Sequence, residues 1–158
     1  MGESFSIVRG DAAPVSLPGY ADDQIEIGDL LWWDGTNDAV RPASEVSGGT
    51  YDIKKTALAD AFVGVALSGK AADESRNILV GTSGDYLFSA PTGEGADAET
   101  LDYVGGGDGT DMLDQTVNVV DTPDDAIGRV IGLKATTDSK VMVRILSRLN
   151  HLEAAAST

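Results

Sequence analysis

The run DAFVGVALSGKAADESRNILVGTSGDYLFS, residues 60–89, opens with Phe62, Val63, Val65, Ala66 and Leu67, interrupted only by Gly64. A polar turn leads to Ile78-Leu79-Val80, and Gly81-Thr82-Ser83-Gly84 then leads to Tyr86-Leu87-Phe88. Short runs of aliphatic and aromatic residues punctuated by glycine and aspartate read as consecutive antiparallel strands. The rhythm recurs in Ile127-Gly128-Arg129-Val130-Ile131-Gly132-Leu133, a polar turn, and Val141-Met142-Val143-Arg144-Ile145-Leu146. Gly64 falls on Gly128 and Ser75 on Ser139 at one constant offset, which also sets Leu67 on Ile131 and Ile78 on Met142. The recurrence is either a duplication or two hairpins with loops of equal length, and both readings stay open. In either case two hairpins supply the apolar surface on which the rest must pack.

Upstream, residues 1–20 read as an extended N-terminal arm, because Pro14, Pro18 and Gly19 break regular structure. Phe5, Ile7 and Val8 are its candidate contacts: such an arm adds a strand to a neighbouring subunit's sheet edge, or frays. In Gln24–Gly35, a Gly28-Asp29 turn enters the strand Leu30-Leu31-Trp32-Trp33. Adjacent strand residues point to opposite faces, so Trp32 and Trp33 cannot share one environment. At least one tryptophan is therefore expected at a partner contact, with burial of both as the alternative. Asp34–Asp38 reads as a turn and Ala39-Val40-Arg41-Pro42 as a return strand. Asp52 reads as the N-cap of a helix of one to two turns in which Ile53, Ala57 and Leu58 share a face.

Downstream, Ala90–Asp114 is the least regular passage. Gly106–Asp114, GGDGTDMLD, fits the calcium-binding nonapeptide pattern, with Asp108, Asp111 and Asp114 as ligands. That pattern works by stacking, since calcium takes six to eight oxygens shared between successive turns. One copy has no second turn to complete the cage, so the competing reading is a plain glycine-rich loop and no cofactor is expected. Val117–Val120 reads as a strand, Asp121–Asp125 as a turn, and 149–158 as a tail, which leaves a β domain over 21–148.

Composition narrows the function. Hydrophobic residues make up 42% of the 158-residue chain, enough for a real core. No apolar run approaches a bilayer span, and the first residues carry no basic and apolar leader pattern, so a soluble chain with no membrane association is expected. Without cysteine there are no disulfides or thiolate sites. Acidic residues outnumber basic ones 26 to 11, a net charge of −15 that repels nucleic-acid phosphates, so nucleic-acid binding is not expected. His151 is the single histidine, it lies in the tail, and no nucleophile elbow, phosphate loop or metalloprotease motif occurs, so no catalysis is expected.

The segments IEIGDLLWWDG (25–35), RPAS (41–44), AFVGVAL (61–67), DYLF (85–88), AIGRVIG (126–132) and KVMVRIL (140–146) together resemble head decoration, or capsid cement, proteins of tailed bacteriophages. The resemblance spans about residues 24–148, from which the longer Gly-rich passage departs. It implies a mainly β fold: a small antiparallel barrel or sandwich with one short helix and an extended N-terminal arm. It further implies a homotrimer that binds the major capsid protein on the outside of the mature head and stabilises it. Such a protein resides in the virion, and in the host cytoplasm during assembly. The alternatives are the capsid-anchoring base of a head fibre, or a calcium-dependent binding module using the Gly106–Asp114 loop.

Overall fold

Strand pairing divides the chain between two sheets, each of which closes on itself. The structure, a computed structural model, describes residues 7–9, 12–90, 99–132 and 140–149. In chain order the elements are β1 (Ile7–Arg9), β2 (Pro14–Pro18), β3 (Leu30–Asp34), β4 (Ala39–Pro42), α1 (Tyr51–Ala61), β5 (Phe62–Ala66) and β6 (Asn77–Gly81). There follow β7 (Asp85–Ser89), β8 (Tyr103–Gly107), β9 (Leu113–Val119), β10 (Gly128–Gly132) and β11 (Lys140–Ile145). The first sheet runs β2-β6-β5-β3-β4, and a parallel bridge from Gly19 to Val40 joins its two ends. The second runs β7-β11-β10-β8-β9, closed by a parallel pairing of Ser89 with Thr116, with β1 added beside β7. The fold is mainly β and barrel-like, as expected from the sequence.

The two barrels have one topology. Each strand of the first has its counterpart five strands later, and both close through a parallel contact between the first and third strands. This agrees with the duplication reading and gives it a physical basis. Gly64 pairs with Leu31 of β3, and Gly128 pairs with Val104 of β8. A Cβ on Gly64 would collide with the carbonyl oxygen of Gly81 in β6, and one on Gly128 with that of Arg144 in β11. Both glycines stand where the next strand crosses too close for a side chain, and Gly64 also has a φ of 151°. The offset then slips by one residue in the second hairpin strand. Buried Ile78 corresponds to buried Val141 and not, as the constant offset requires, to half-buried Met142.

β5 and β6 form the expected hairpin, but β6 and β7 do not pair. Thr82–Gly84 is the joint at which the chain leaves one barrel for the other. Tyr86 lies fully buried beside this joint, its hydroxyl donating to the Ser83 carbonyl at 2.7 Å.

The arm reading is corrected over its second half. Pro14–Pro18 is β2, in register with β6 from Pro14↔Gly81 to Pro18↔Asn77. Both prolines stand at the ends of the strand and are exposed, where a missing N–H costs no ladder bond. β1 adds to the β7 edge of its own chain, with Ile7 opposite Tyr86.

One core fills the second barrel and continues into the first. It joins Tyr86, Phe88, Val104, Val117, Ile127, Val130, Val141, Val143 and Ile145 with Leu30, Phe62 and Val65 from β3 and β5 and with Leu58 of α1. A second cluster, including Leu31, Val40, Val63, Ile78 and Val80, fills the first barrel. A bulge in β5 opposite Leu31 and Trp32 lets Val63 serve the first barrel while Phe62 and Val65 serve the second.

The helix is longer than its sequence signal. Thr50 is its N-cap, accepting from Ile53 N–H, so Asp52 lies in the first turn. Ile53 is exposed, and Leu58 and Ala59 are the residues it buries. Tyr103–Gly107, part of the passage read as irregular, is strand β8. Its three glycines lower β propensity, yet Gly106 is where Leu58 and Met112 pack, and Tyr51 donates to its carbonyl at 2.7 Å.

Gly64→Ala and Gly128→Ala should each destabilise the protein by about 2 kcal/mol or more. Gly49→Ala, where a Cβ meets nothing, should change stability by less than about 0.5 kcal/mol. Chemical denaturation midpoints check all three.

Candidate functional site

The two tryptophans divide as strand geometry requires. Both are half-buried: Trp32 packs on the core shared by the barrels and Trp33 on the core of the first. Trp32 Nε1 donates to the Pro42 carbonyl at 3.0 Å, and the Arg41 guanidinium sits 6.0 Å above its ring and 4.4 Å above that of Tyr20. Arg41 also forks onto Asp23 at 2.7 and 3.1 Å and reaches Glu45 at 3.1 Å. Trp33 lines a hollow of about 390 Å³ with Leu17, Asp60, Ala61, Val63, Arg148 and Leu149. Of the candidate arm contacts, Ile7 and Val8 lie in β1, and Phe5 and His151 lie outside the described residues.

The aspartates of the calcium pattern serve separate ends. Asp108 is exposed and its N–H donates to Asn118, while Asp111 stands 3.6 Å from the Lys54 ammonium. Asp114 turns inward and accepts from Ser44, from the N–H at 2.7 Å and the hydroxyl at 3.0 Å. Among the described residues no group of three or more histidines or carboxylates is placed to hold a metal ion.

Asp114 belongs instead to an acidic seam between the barrels. Asp23, Glu26, Asp29 and Glu45 line the same recess, and Gln115 of β9 donates to Asp29 at 2.9 Å and to the Ile27 carbonyl at 3.2 Å. Asp29 is 3% exposed, and its other oxygen accepts from the Glu26 N–H at 2.8 Å. Burial pushes its carboxyl up to about 6, against the two hydrogen bonds that lower it. Burial likewise raises Asp114, opposed by the bonds from Ser44. Sequence reasoning missed this seam because Asp29 reads there only as part of a turn.

A third feature, also missed, lies on the second barrel. A groove of about 470 Å³ runs between β8, β10 and the end of β11, lined by Leu101, Tyr103, Arg129, Ile131, Leu146 and Arg148 among others. Leu101 and Leu146 are 61% and 52% exposed, isolated leucines on either side of it. Arg129 lies over the Tyr103 ring, 4.3 Å from its centroid, and donates to the Tyr103 hydroxyl. Arg144, at the same groove, forks onto buried Asp85 at 2.8 and 3.1 Å. Arg148 anchors to the Ala59 carbonyl at 2.7 Å and lines both this groove and the Trp33 hollow, so the two form one continuous surface. A nonpolar floor edged by fixed guanidinium groups suits noncovalent docking of another protein.

Because the folded-state pKa of Asp29 lies above its ordinary value of 3.8, its contribution to stability is full below about pH 4 and lost as pH rises through about 6. The loss is on the order of 2–3 kcal/mol. Melting temperature should fall across that window, and Asp29→Asn should flatten the fall.

Among the described residues no helix is long and apolar enough to cross a membrane. No family model, no curated protein and no solved structure matches this chain.

Proposed function

We propose that this chain is a capsid decoration protein of a tailed bacteriophage, binding the major capsid protein on the outside of the mature head as a homotrimer. What supports the reading is the continuous surface formed by the Trp33 hollow, Arg148 and the arginine-edged groove. It offers apolar area at roughly 25 cal/mol per Å² together with directional cations, the combination that anchors protein–protein contacts. The segments that carry the resemblance also form the barrels' framework: Gly28-Asp29 turns into β3, AFVGVAL contains β5, and AIGRVIG and KVMVRIL contain β10 and β11. Closed barrels suit a protein that must sit on a shell without aggregating, since closure removes unpaired strand edges.

A subunit that binds the assembled shell but not its free parts stabilises the shell by RT ln(1 + [L]/Kd) at each site. Summed over many seams, modest affinities suffice.

Purified protein added to undecorated mature heads should bind to saturation and raise the temperature at which the heads disrupt. Trp33→Ala should weaken that binding by about tenfold, a loss of about 1.4 kcal/mol, and solution mass should be that of three chains. Absence of binding at every salt concentration overturns the proposal.

A further inference from the structure

The groove on the second barrel specifies the chemistry of what it binds, an inference that rests on the protein-docking reading above and deepens it. In a chain of net charge −15, three of eleven basic residues converge on this one groove. Their states differ. Arg144 is already paired with Asp85, and Arg148 stands 3.6 Å from Asp60. Arg129 has no carboxylate partner among the described residues; its guanidinium is held by the ring and hydroxyl of Tyr103. It is exposed and lies along the groove with Leu101, Ile131 and Leu146. Asp124 also lines the groove, so with Asp85 and Asp60 the local charges are about balanced, and Arg129 is the groove's one guanidinium without a carboxylate partner among the described residues.

The apolar side is fixed as firmly as the cation. Leu101 has a φ of 80°, a conformation that bulky side chains rarely adopt. Its N–H donates to the Val130 carbonyl at 2.7 Å, and the Val130 N–H donates to the Asp102 carbonyl at 2.9 Å. These two bonds pin the turn to β10 and hold an exposed leucine beside the groove. A strained residue kept in place by its surroundings is an arrangement that recurs at binding sites.

We infer that this groove seats a segment of the partner protein in which an Asp or Glu side chain stands between bulky apolar ones. One carboxylate bonds Arg129, and the apolar side chains lie between Leu101, Ile131 and Leu146. One acidic side chain flanked by apolar ones matches the groove, because Arg144 and Arg148 already face Asp85 and Asp60 and Arg129 alone offers its guanidinium to a partner's carboxylate. Preformed stacking of Arg129 on Tyr103 leaves little side-chain freedom to lose on binding.

A capped peptide alternating glutamate with leucine, and its lysine–leucine counterpart, serve as probes in calorimetry and in amide-shift mapping. The acidic peptide is expected to bind, with shifts centred on Arg129 and Leu146, and to weaken as salt rises. Arg129→Gln and Leu146→Ser are each expected to lower its affinity by about tenfold or more. Both side chains are exposed, so an unchanged melting temperature certifies the fold of each variant. Arg76→Gln, on the turn before β6, is expected to leave affinity unchanged. Equal binding of the lysine peptide, absence of acidic-peptide binding, or indifference to both groove variants overturns the inference. Mature heads separate the two proposals. If wild type binds the peptide but not heads, the groove stands and the decoration role falls. If heads bind wild type and both groove variants alike, the decoration role stands and the groove assignment falls.

Discussion

Closing five short strands into a barrel demands sharp local bending, and in this protein that demand is met at Gly64 and Gly128. At each, the carbonyl of the following strand occupies the space a Cβ would need. Bulges sit nearby, opposite Leu31 and Trp32 in one barrel and between Val130 and Gly132 in the other. Glycine kinks and bulges are the usual means by which flat pairing becomes a closed curve. Once each barrel closes, β3 and β5 of the first are free to turn Leu30, Phe62 and Val65 toward the second, and one core spans both.

The contact between the barrels is not uniformly apolar. On one side, α1 packs on the glycines of β8, and Thr56 donates to Asp125 at 2.6 Å. That pairing brings together the two equivalent connections, the helix before β5 and the Pro123–Asp125 turn before β10. On the other side lies the acidic seam, where Ser44 and Gln115 hold Asp114 and Asp29 by charge-assisted bonds while burial opposes their ionisation. The same joint is therefore cemented by shape on one flank and sensitive to pH on the other.

Function, on the reading proposed above, resides on the outer surface of this frame. The Trp33 hollow belongs to the first barrel and the arginine groove to the second, and Arg148 connects them only because the residues after β11 fold back against Ala59 of α1. A surface assembled from both barrels is rigid to the degree that the shared core is rigid. That is a useful property for a protein whose proposed task is to hold others in register.

Much of this architecture was legible from local chemistry, and the gaps have specific causes. The hairpins around Gly64 and Gly128, the opposed tryptophans, the Asp34 turn and the mainly β fold follow from apolar alternation and turn residues, which act over a few positions and leave a mark in the chain. β8 was hidden because three consecutive glycines read as a loop, and their purpose is set by a helix about fifty residues away in sequence. The break between β6 and β7 was hidden because a turn that ends a hairpin and a turn that joins two barrels use the same residues. Sequence by itself therefore determined the strands with apolar periodicity and the overall charge, but not β2 or the glycine-rich β8. Tertiary structure alone decided which strands share a barrel, that Asp29 and Asp114 are buried, and that Leu101, Arg129 and Leu146 border one groove, because proximity between distant residues is created by closure and packing and has no local signature.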